Sequence, residues 1–440
     1  MTVRAATRAA AAALLGAELL AGTLGCPGPE PHALATGGTG SGAGGASPTG
    51  GGGSGGMVAT GGGGTGGSGG QPCTAGYMAP ECFADVALGT TAARGMPVLV
   101  SGPTGLPHIV AAAATLGTFV DLALAWDAGS HTLTATEATL SSPTSSLVMQ
   151  LLAGAFDDTP GTDVVMLFED GSIGFASGNG GNGIGTPSLT TASVSGPVAL
   201  FAGDLDGDAR RDLGVLYCAT TCAAGVATAV RFLASNGDGT FSALPSDLSV
   251  PGGVRAGVLG HLDDGEGRTD LVLAYDGGFL ELWPSTADPA RFGPPQGPTT
   301  SLSPLTTPSG VVLGNLEGVP PDDVFVTGAG GVQIVGNGAG SGNLGSSYLT
   351  STPWLVDMNG DNPLDLVVSA VVPGGHSPLY AERNGAFTPP FGAPIELVTS
   401  PSLRAALRPG VAVGDLNGDG APDIVLNHTG PGVHVLVANR

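Results

Sequence analysis

Three eleven-residue segments of this 440-residue chain carry acidic side chains at matching positions. They are Gly203-Asp-Leu-Asp-Gly-Asp-Ala-Arg-Arg-Asp212-Leu, Val356-Asp-Met-Asn-Gly-Asp-Asn-Pro-Leu-Asp365-Leu and Gly414-Asp-Leu-Asn-Gly-Asp-Gly-Ala-Pro-Asp423-Ile, each leading into a short apolar run. Weaker copies hold the same frame around Asp157, Asp263 and Glu317, ending at Asp163, Asp270 and Asp323. A seventh copy, Val100 to His108, has lost its acids. The closing positions 108, 163, 212, 270, 323, 365 and 423 are 55, 49, 58, 53, 42 and 58 residues apart. A unit of about fifty residues holds four short strands with their turns, whereas one coil of a β-helix or a leucine-rich repeat takes only about 20 to 30 residues. The repeat therefore predicts an all-β, seven-bladed β-propeller.

Composition points the same way. With 79 Gly, 35 Pro and 11% charged residues, the chain is turn-rich and cannot be mostly helical. Within one unit the sequence reads as an inner strand from Asp212, a second strand from Val226 to Ala234, a turn at Ser235-Asn-Gly-Asp-Gly-Thr-Phe241 and a looser outer strand. After Asp423 the chain supplies two strands and stops, while Glu81-Cys-Phe83-Ala-Asp-Val precedes the first frame. The expected arrangement is a ring closed by that N-terminal strand, which leaves no sheet edge in the circle without a neighbour.

The acidic positions suit a hard divalent cation. Calcium takes about six to eight oxygen ligands in flexible geometry. Side chains at positions one, three, five and nine and a carbonyl at seven supply them: Asp204, Asp206, Asp208 and Asp212 with Arg210; Asp357, Asn359, Asp361 and Asp365 with Pro363; Asp415, Asn417, Asp419 and Asp423 with Ala421. Glycine at 207, 360 and 418 lets each loop turn tightly. The plainer reading is a set of Asp/Gly turns bonded to their own backbone. Electrostatics weighs against it, because clustered carboxylates repel one another until a cation neutralises them. The loops around Asp157, Asp263 and Glu317 have lost oxygens to Ala155, Thr159, Gly265 and Val319, and the loop ending at His108 has none to offer.

On these motifs the chain resembles the FG-GAP, or VCBS-type, repeats of integrin-like β-propellers over about residues 81–440. The resemblance implies structural calcium ions at one face of the ring and a binding or adhesion scaffold in place of a defined catalyst.

The N-terminus reads as an export signal over residues 1–25: Arg4 and Arg8, then an apolar run from Ala9 to Leu24. Leu20-Ala-Gly-Thr-Leu-Gly-Cys26 resembles a bacterial lipobox, which implies acylation of Cys26 and an outer-membrane or surface lipoprotein. The alternative is a signal cleaved without acylation, which gives a secreted or periplasmic protein. Residues 26–72 form a Gly/Ser-rich linker, too poor in bulky residues to fold, and the propeller occupies 73–440. The remaining cysteines fall into two local pairs, Cys73 with Cys82 and Cys218 with Cys222, expected as disulfides in an oxidising compartment.

A net charge of −23 repels nucleic acids and anionic lipid alike, so a membrane is reached only through Cys26. His261, His376, His428 and His434 show no spacing that joins them to a catalytic unit. The GxGxxG match at Gly178–Gly183 and the GxSxG matches in the linker lack the strand-to-helix context that gives such motifs meaning. The expected function is a surface-displayed, non-catalytic, calcium-stabilised module that binds an envelope or extracellular protein or glycan. The alternative is a polysaccharide lyase or hydrolase with its site in the central channel, which needs acid and base residues converging from several blades.

Overall fold

The computed structural model describes Val58–Ala59 and the chain from Pro80 to Ala438, except residues 102–104, 114, 181–182, 221, 224, 263–268, 287–291, 315–321, 336–341, 345–352, 360–363 and 382–393. The segments 1–25 and 26–72, apart from Val58–Ala59, lie outside it, as do Cys26 and Cys73. The chain is all-β and arranged as a β-propeller. No helix among the described residues is long and apolar enough to cross a membrane.

The apolar run after each acidic loop becomes the most buried strand of its sheet. Asp163–Phe168, Asp212–Tyr217 and Asp270–Tyr275 are buried at every position, as continuous apolar runs bounded by turns predict. The described strands form five sheets, antiparallel between neighbours. Three are four-stranded: Val148–Gly154, Asp163–Phe168, Ser172–Ala176 and Ser188–Ser193; Thr307–Gly314, Asp323–Ala329, Gly331–Val335 and Gly342–Leu344; and Trp354–Val356, Asp365–Val372, Gly375–Ala381 and Ile395–Glu396. Two are eight-stranded. One runs from Pro197–Gly203 through Asp212–Tyr217, Ala227–Ser235, Leu248–Gly260, Asp270–Tyr275 and Phe279–Trp283 to Gln296–Ser301, with Phe241–Ala243 beside Ala227–Ser235. The other runs Val58–Ala59, Thr132–Ser141, Thr118–Asp127, His108–Ala113, Phe83–Val100, Pro431–Ala438, Asp423–His428, Leu407–Gly414.

The frame read from the sequence is a hydrogen-bonding register. Gly154 faces Asp163, Gly203 faces Asp212, Gly260 faces Asp270, Gly314 faces Asp323, Val356 faces Asp365, Gly414 faces Asp423 and Val100 faces His108. Each loop is thus the turn between the first and second strands of its unit.

Phe83–Val100 belongs to two sets of strands at once. Its first half pairs with the last strand of the chain, Phe83 opposite Ala438 and Leu88 opposite Val433; its second half pairs with His108–Ala113. Glu137 fastens the crossover between the halves. Its carboxylate accepts the Thr90 N–H at 2.6 Å, the Thr91 N–H at 3.3 Å and the hydroxyls of both threonines. Partial burial opposes ionisation there, but the threonine donors outweigh it and hold the Glu137 carboxyl below the usual range.

Glycine at the end of an inner strand lets the next inner strand approach. A Cβ at Gly203, Gly260, Gly314 or Gly414 would lie 2.5, 2.1, 2.0 or 2.7 Å from Leu259, Leu313, Leu355 or Leu99 respectively, closer than packed side chains tolerate.

Candidate metal centres

The loop from Asp204 to Asp212 gathers the first three of its expected ligands. Asp204, Asp206 and Asp208 each offer a carboxylate oxygen within 4.8 Å of the others. The backbone turns sharply at Gly207 (φ 82°) and at Ala209 (φ 70°), and the second of these is a left-handed position without glycine, which strains the chain. Side chains brace the turn: Asp204 accepts the N–H of Gly207 at 2.7 Å and of Ala209 at 2.9 Å, Asp206 that of Asp208 at 3.2 Å, and Asp208 that of Arg210 at 2.9 Å.

The loop from Asp415 to Asp423 repeats these bonds one for one. Asp415 accepts from Gly418 at 2.7 Å and Gly420 at 2.9 Å, Asn417 from Asp419 at 2.9 Å, and Asp419 from Ala421 at 2.7 Å. Gly418 and Gly420 take φ of 81° and 83°. The Asn417 amide also donates to Asp419 at 3.0 Å. Two loops far apart in sequence thus share one pattern of side-chain-to-backbone bonds. In the third full loop Asp357, Asn359 and Asp365 are described and Asn359 is buried, whereas Gly360, Asp361 and Pro363 lie outside the described residues. So do Asp263 and Glu317 of the weaker loops.

These bonds also occur in Asp/Gly turns that hold no ion. They do not exhaust the sites, because a carboxylate accepts about four hydrogen bonds or ligand contacts and here each oxygen spends one or two. The cluster is short of positive charge. Burial first, then the Asp208 and Asp204 charges, push the Asp206 carboxyl above its ordinary range. Arg210 supplies part of the deficit, with its guanidinium against Asp208 and 3.2 Å from Asp158 of the preceding loop. Among the described residues no arginine pairs with Asp415 or Asp419.

The ninth position has a second duty. Asp212 accepts the N–H of Leu205 at 2.7 Å on one oxygen and of Ser235 at 2.8 Å on the other; Asp423 does the same with Leu416 at 2.8 Å and Ala438 at 2.7 Å. The carboxylate therefore staples the loop to the strand two places along. Asp163 repeats this with Phe156 at 2.7 Å, Asp157 at 3.0 Å and Gly178 at 2.8 Å, and Asp270 with Leu262 at 3.2 Å and Ser285 at 2.8 Å. Two of the weaker loops keep the staple although the acids at their first and fifth positions are gone, so the staple is a function of its own. Burial raises the Asp212 carboxyl to about 6 and the Asp423 carboxyl to about 7; the other loop carboxylates add to the shift and the amide donors oppose it. Asp163→Ala would orphan three buried N–H groups, at about 3 kcal/mol in all. The expected loss of melting temperature is the same with and without calcium, which separates the staple from the ion; differential scanning calorimetry reads it.

In the first frame, which is one residue shorter, His108 stands at the closing position and meets Asp121 at 2.7 Å, nearly buried. Folding also brings His428 and His434 together, with ring centres 4.2 Å apart, and sets His434 2.9 Å from Asp85. Burial, then the neighbouring His434, lowers the His428 pKa below the ordinary histidine value. Nothing in the sequence spacing announces either group, because Asp85 and His434 meet only through the pairing of the first and last strands. Cys218 and Cys222 are bonded, with Cα atoms 5.9 Å apart, and Cys82 is also held in a disulfide.

Fold and site together define a β-propeller in which acidic turns recur between paired strands. A family model described as FG-GAP-like repeat matches residues 357–426, which span the third full loop through the strand that follows the last one. No curated protein matches the chain.

Proposed function

We propose that this chain is a seven-bladed, calcium-stabilised propeller that serves as a non-catalytic binding or adhesion module for a protein or glycan, held at the cell envelope through an acylated Cys26. The observation that carries the reading is the duplicate loop: the same carboxylate positions, the same amide bonds and the same two left-handed residues at 204–212 and 415–423. Calcium would be held by Asp204, Asp206 and Asp208 with the Arg210 carbonyl, by Asp415, Asn417 and Asp419 with the Ala421 carbonyl, and by the corresponding residues of the 357–365 loop. Asp212, Asp365 and Asp423 join as ninth-position ligands through the lone pairs their amide donors leave open.

Seven blades follow if each eight-stranded sheet is two units joined edge to edge, one pair divided at the bend of Phe83–Val100 and the other between Ala227–Ser235 and Leu248–Gly260. The apolar clusters support that division. Val100 and Phe119 pack with Met166 and Phe168; Val165 and Ile173 with Val215 and Leu233; Phe232 with Leu271 and Tyr275; Val272 with Val326; Phe325 with Val368; Tyr380 with Leu426. The circle closes where Ala412 and Val425 pack with Ile109 and Leu122. Each unit buries one face on the unit before it and the other on the unit after it.

A ring with its ions on one face presents the opposite turns to a partner, and rigid loops of this kind are where binding residues concentrate. Fluorescently labelled protein applied to glycan and envelope-protein arrays in calcium is expected to give discrete binding that EGTA abolishes. Silence across both arrays would remove the binding reading while leaving the calcium sites standing.

A further inference from the structure

A sheet edge is a row of unpaired N–H and C=O groups, and proteins blunt it with short strands, proline, bulges or charge. Most outermost strands here follow that rule. Phe241–Ala243 and Gly342–Leu344 are three residues long and Ile395–Glu396 two; Gln296–Ser301 contains Gly297 and Pro298 and breaks register; Ser188–Ser193 follows Pro187 and shifts register too. Thr132–Ser141 breaks the rule. It runs ten residues, Thr-Leu-Thr-Ala-Thr-Glu-Ala-Thr-Leu-Ser, and pairs without a bulge along all of Thr118–Asp127. The chain has no lysine, a common guard of such edges, and the one charge on the strand, Glu137, is spent on Thr90 and Thr91.

On that edge lies Val58–Ala59, antiparallel, Val58 opposite Thr136 and Ala59 opposite Ala135. Between Ala35 and Gln71 every residue is Gly, Ser, Thr or Ala except Pro48, Met57, Val58 and Gln71 itself. The tract's only valine lies in the segment that pairs.

We infer that the outer edge of Thr132–Ser141 is a strand-docking site whose resident occupant is the chain's own Val58–Ala59 segment, which clips the Gly-rich tract to the rim of the first unit. Recognition is through the backbone, as in other strand additions. Two paired residues are marginal on their own, but the 20 residues between the clip and Pro80 keep its effective concentration on the order of millimolar. The clip is therefore both populated and reversible, and it covers an edge that would otherwise invite pairing between molecules.

Hydrogen exchange of the full chain tests this with a Val58→Pro/Ala59→Pro double variant, since proline removes the N–H and fixes φ. Relative to wild type, the outward-facing amides within residues 134–137 are expected to exchange at least about threefold faster, with Asp163–Phe168 unchanged as a control for global stability. A Ser54→Pro/Gly55→Pro variant, equally stiffened outside the paired residues, is expected to match wild type. Equal exchange at 134–137 in wild type and in the Val58→Pro/Ala59→Pro protein overturns the clip, as does equal acceleration in both proline variants.

Discussion

A chain lacking residues 81–100 is expected to lose cooperative thermal unfolding, while one lacking residues 35–71 melts within about 2 °C of the full-length protein. The first deletion removes the strand that pairs on one side with Pro431–Ala438 and on the other with His108–Ala113. It also strips Leu88 and Val433 of each other, takes Val98 and Val100 from the cluster around Phe119 and Met166, and leaves Gly414 without Leu99. Two sheet edges and parts of two cores are exposed together. Burying an aliphatic side chain is worth about 1.5 to 3 kcal/mol, so these losses rival the roughly 5 to 15 kcal/mol that holds a domain together. The second deletion removes the Val58–Ala59 pairing, worth no more than about 1 kcal/mol. Circular dichroism melts of both proteins decide it, and comparable losses would show that the ring does not depend on its N-terminal strand.

Calcium removal is the second large effect. An ion that binds only the folded state stabilises by RT ln(1 + [L]/Kd), about 2.7 kcal/mol per site when the free ion stands at a hundredfold of Kd. Three such loops together make EGTA lower the melting temperature by on the order of 10 °C for a domain of this size. Asp419→Ala is expected to remove about a third of that and to weaken the response to added calcium. The pH dependence of the metal-free protein carries a sign that can be checked. Asp212 and Asp423 hold their protons in the folded state up to about 6 and about 7, well above the value near 3.9 for an unfolded Asp. Between about pH 4 and pH 7 the folded state therefore binds more protons than the unfolded one, and stability falls as pH rises. Under the calcium proposal, saturating calcium is expected to replace the protons as the neutralising charge and to flatten or reverse that slope. Native mass spectrometry that finds no bound calcium at millimolar supply, together with a melting temperature indifferent to EGTA, would end the calcium reading.

Much of the architecture was legible because the acidic turn is a rigid marker of register. Gly203 and Asp212 are nine residues apart in sequence and directly opposite in the sheet, and the same holds for Gly414 and Asp423. Reading the repeat was reading the first hairpin of each unit. The staple was half legible: Asp163, Asp270 and Asp323 persist where the first and fifth loop positions have lost their acids, a pattern that metal binding alone does not explain. Its partners, Ser235 for Asp212 and Ala438 for Asp423, lie on another strand and were invisible. Ala209 in the left-handed region was also unannounced, since sequence marks such positions only when glycine fills them.

By itself the sequence determined the all-β class, the place of each turn and the gathering of carboxylates at 204–208, because each follows from interactions among residues a few positions apart. Only the tertiary structure decided which strands continue into one sheet, that Val58–Ala59 lies on the edge of Thr132–Ser141, and that His428, His434 and Asp85 stand together. Apart from the His428–His434 contact, these join residues tens to hundreds of positions apart. They exist only once apolar faces have been buried against one another and the register between distant strands is set, and no local pattern encodes that choice.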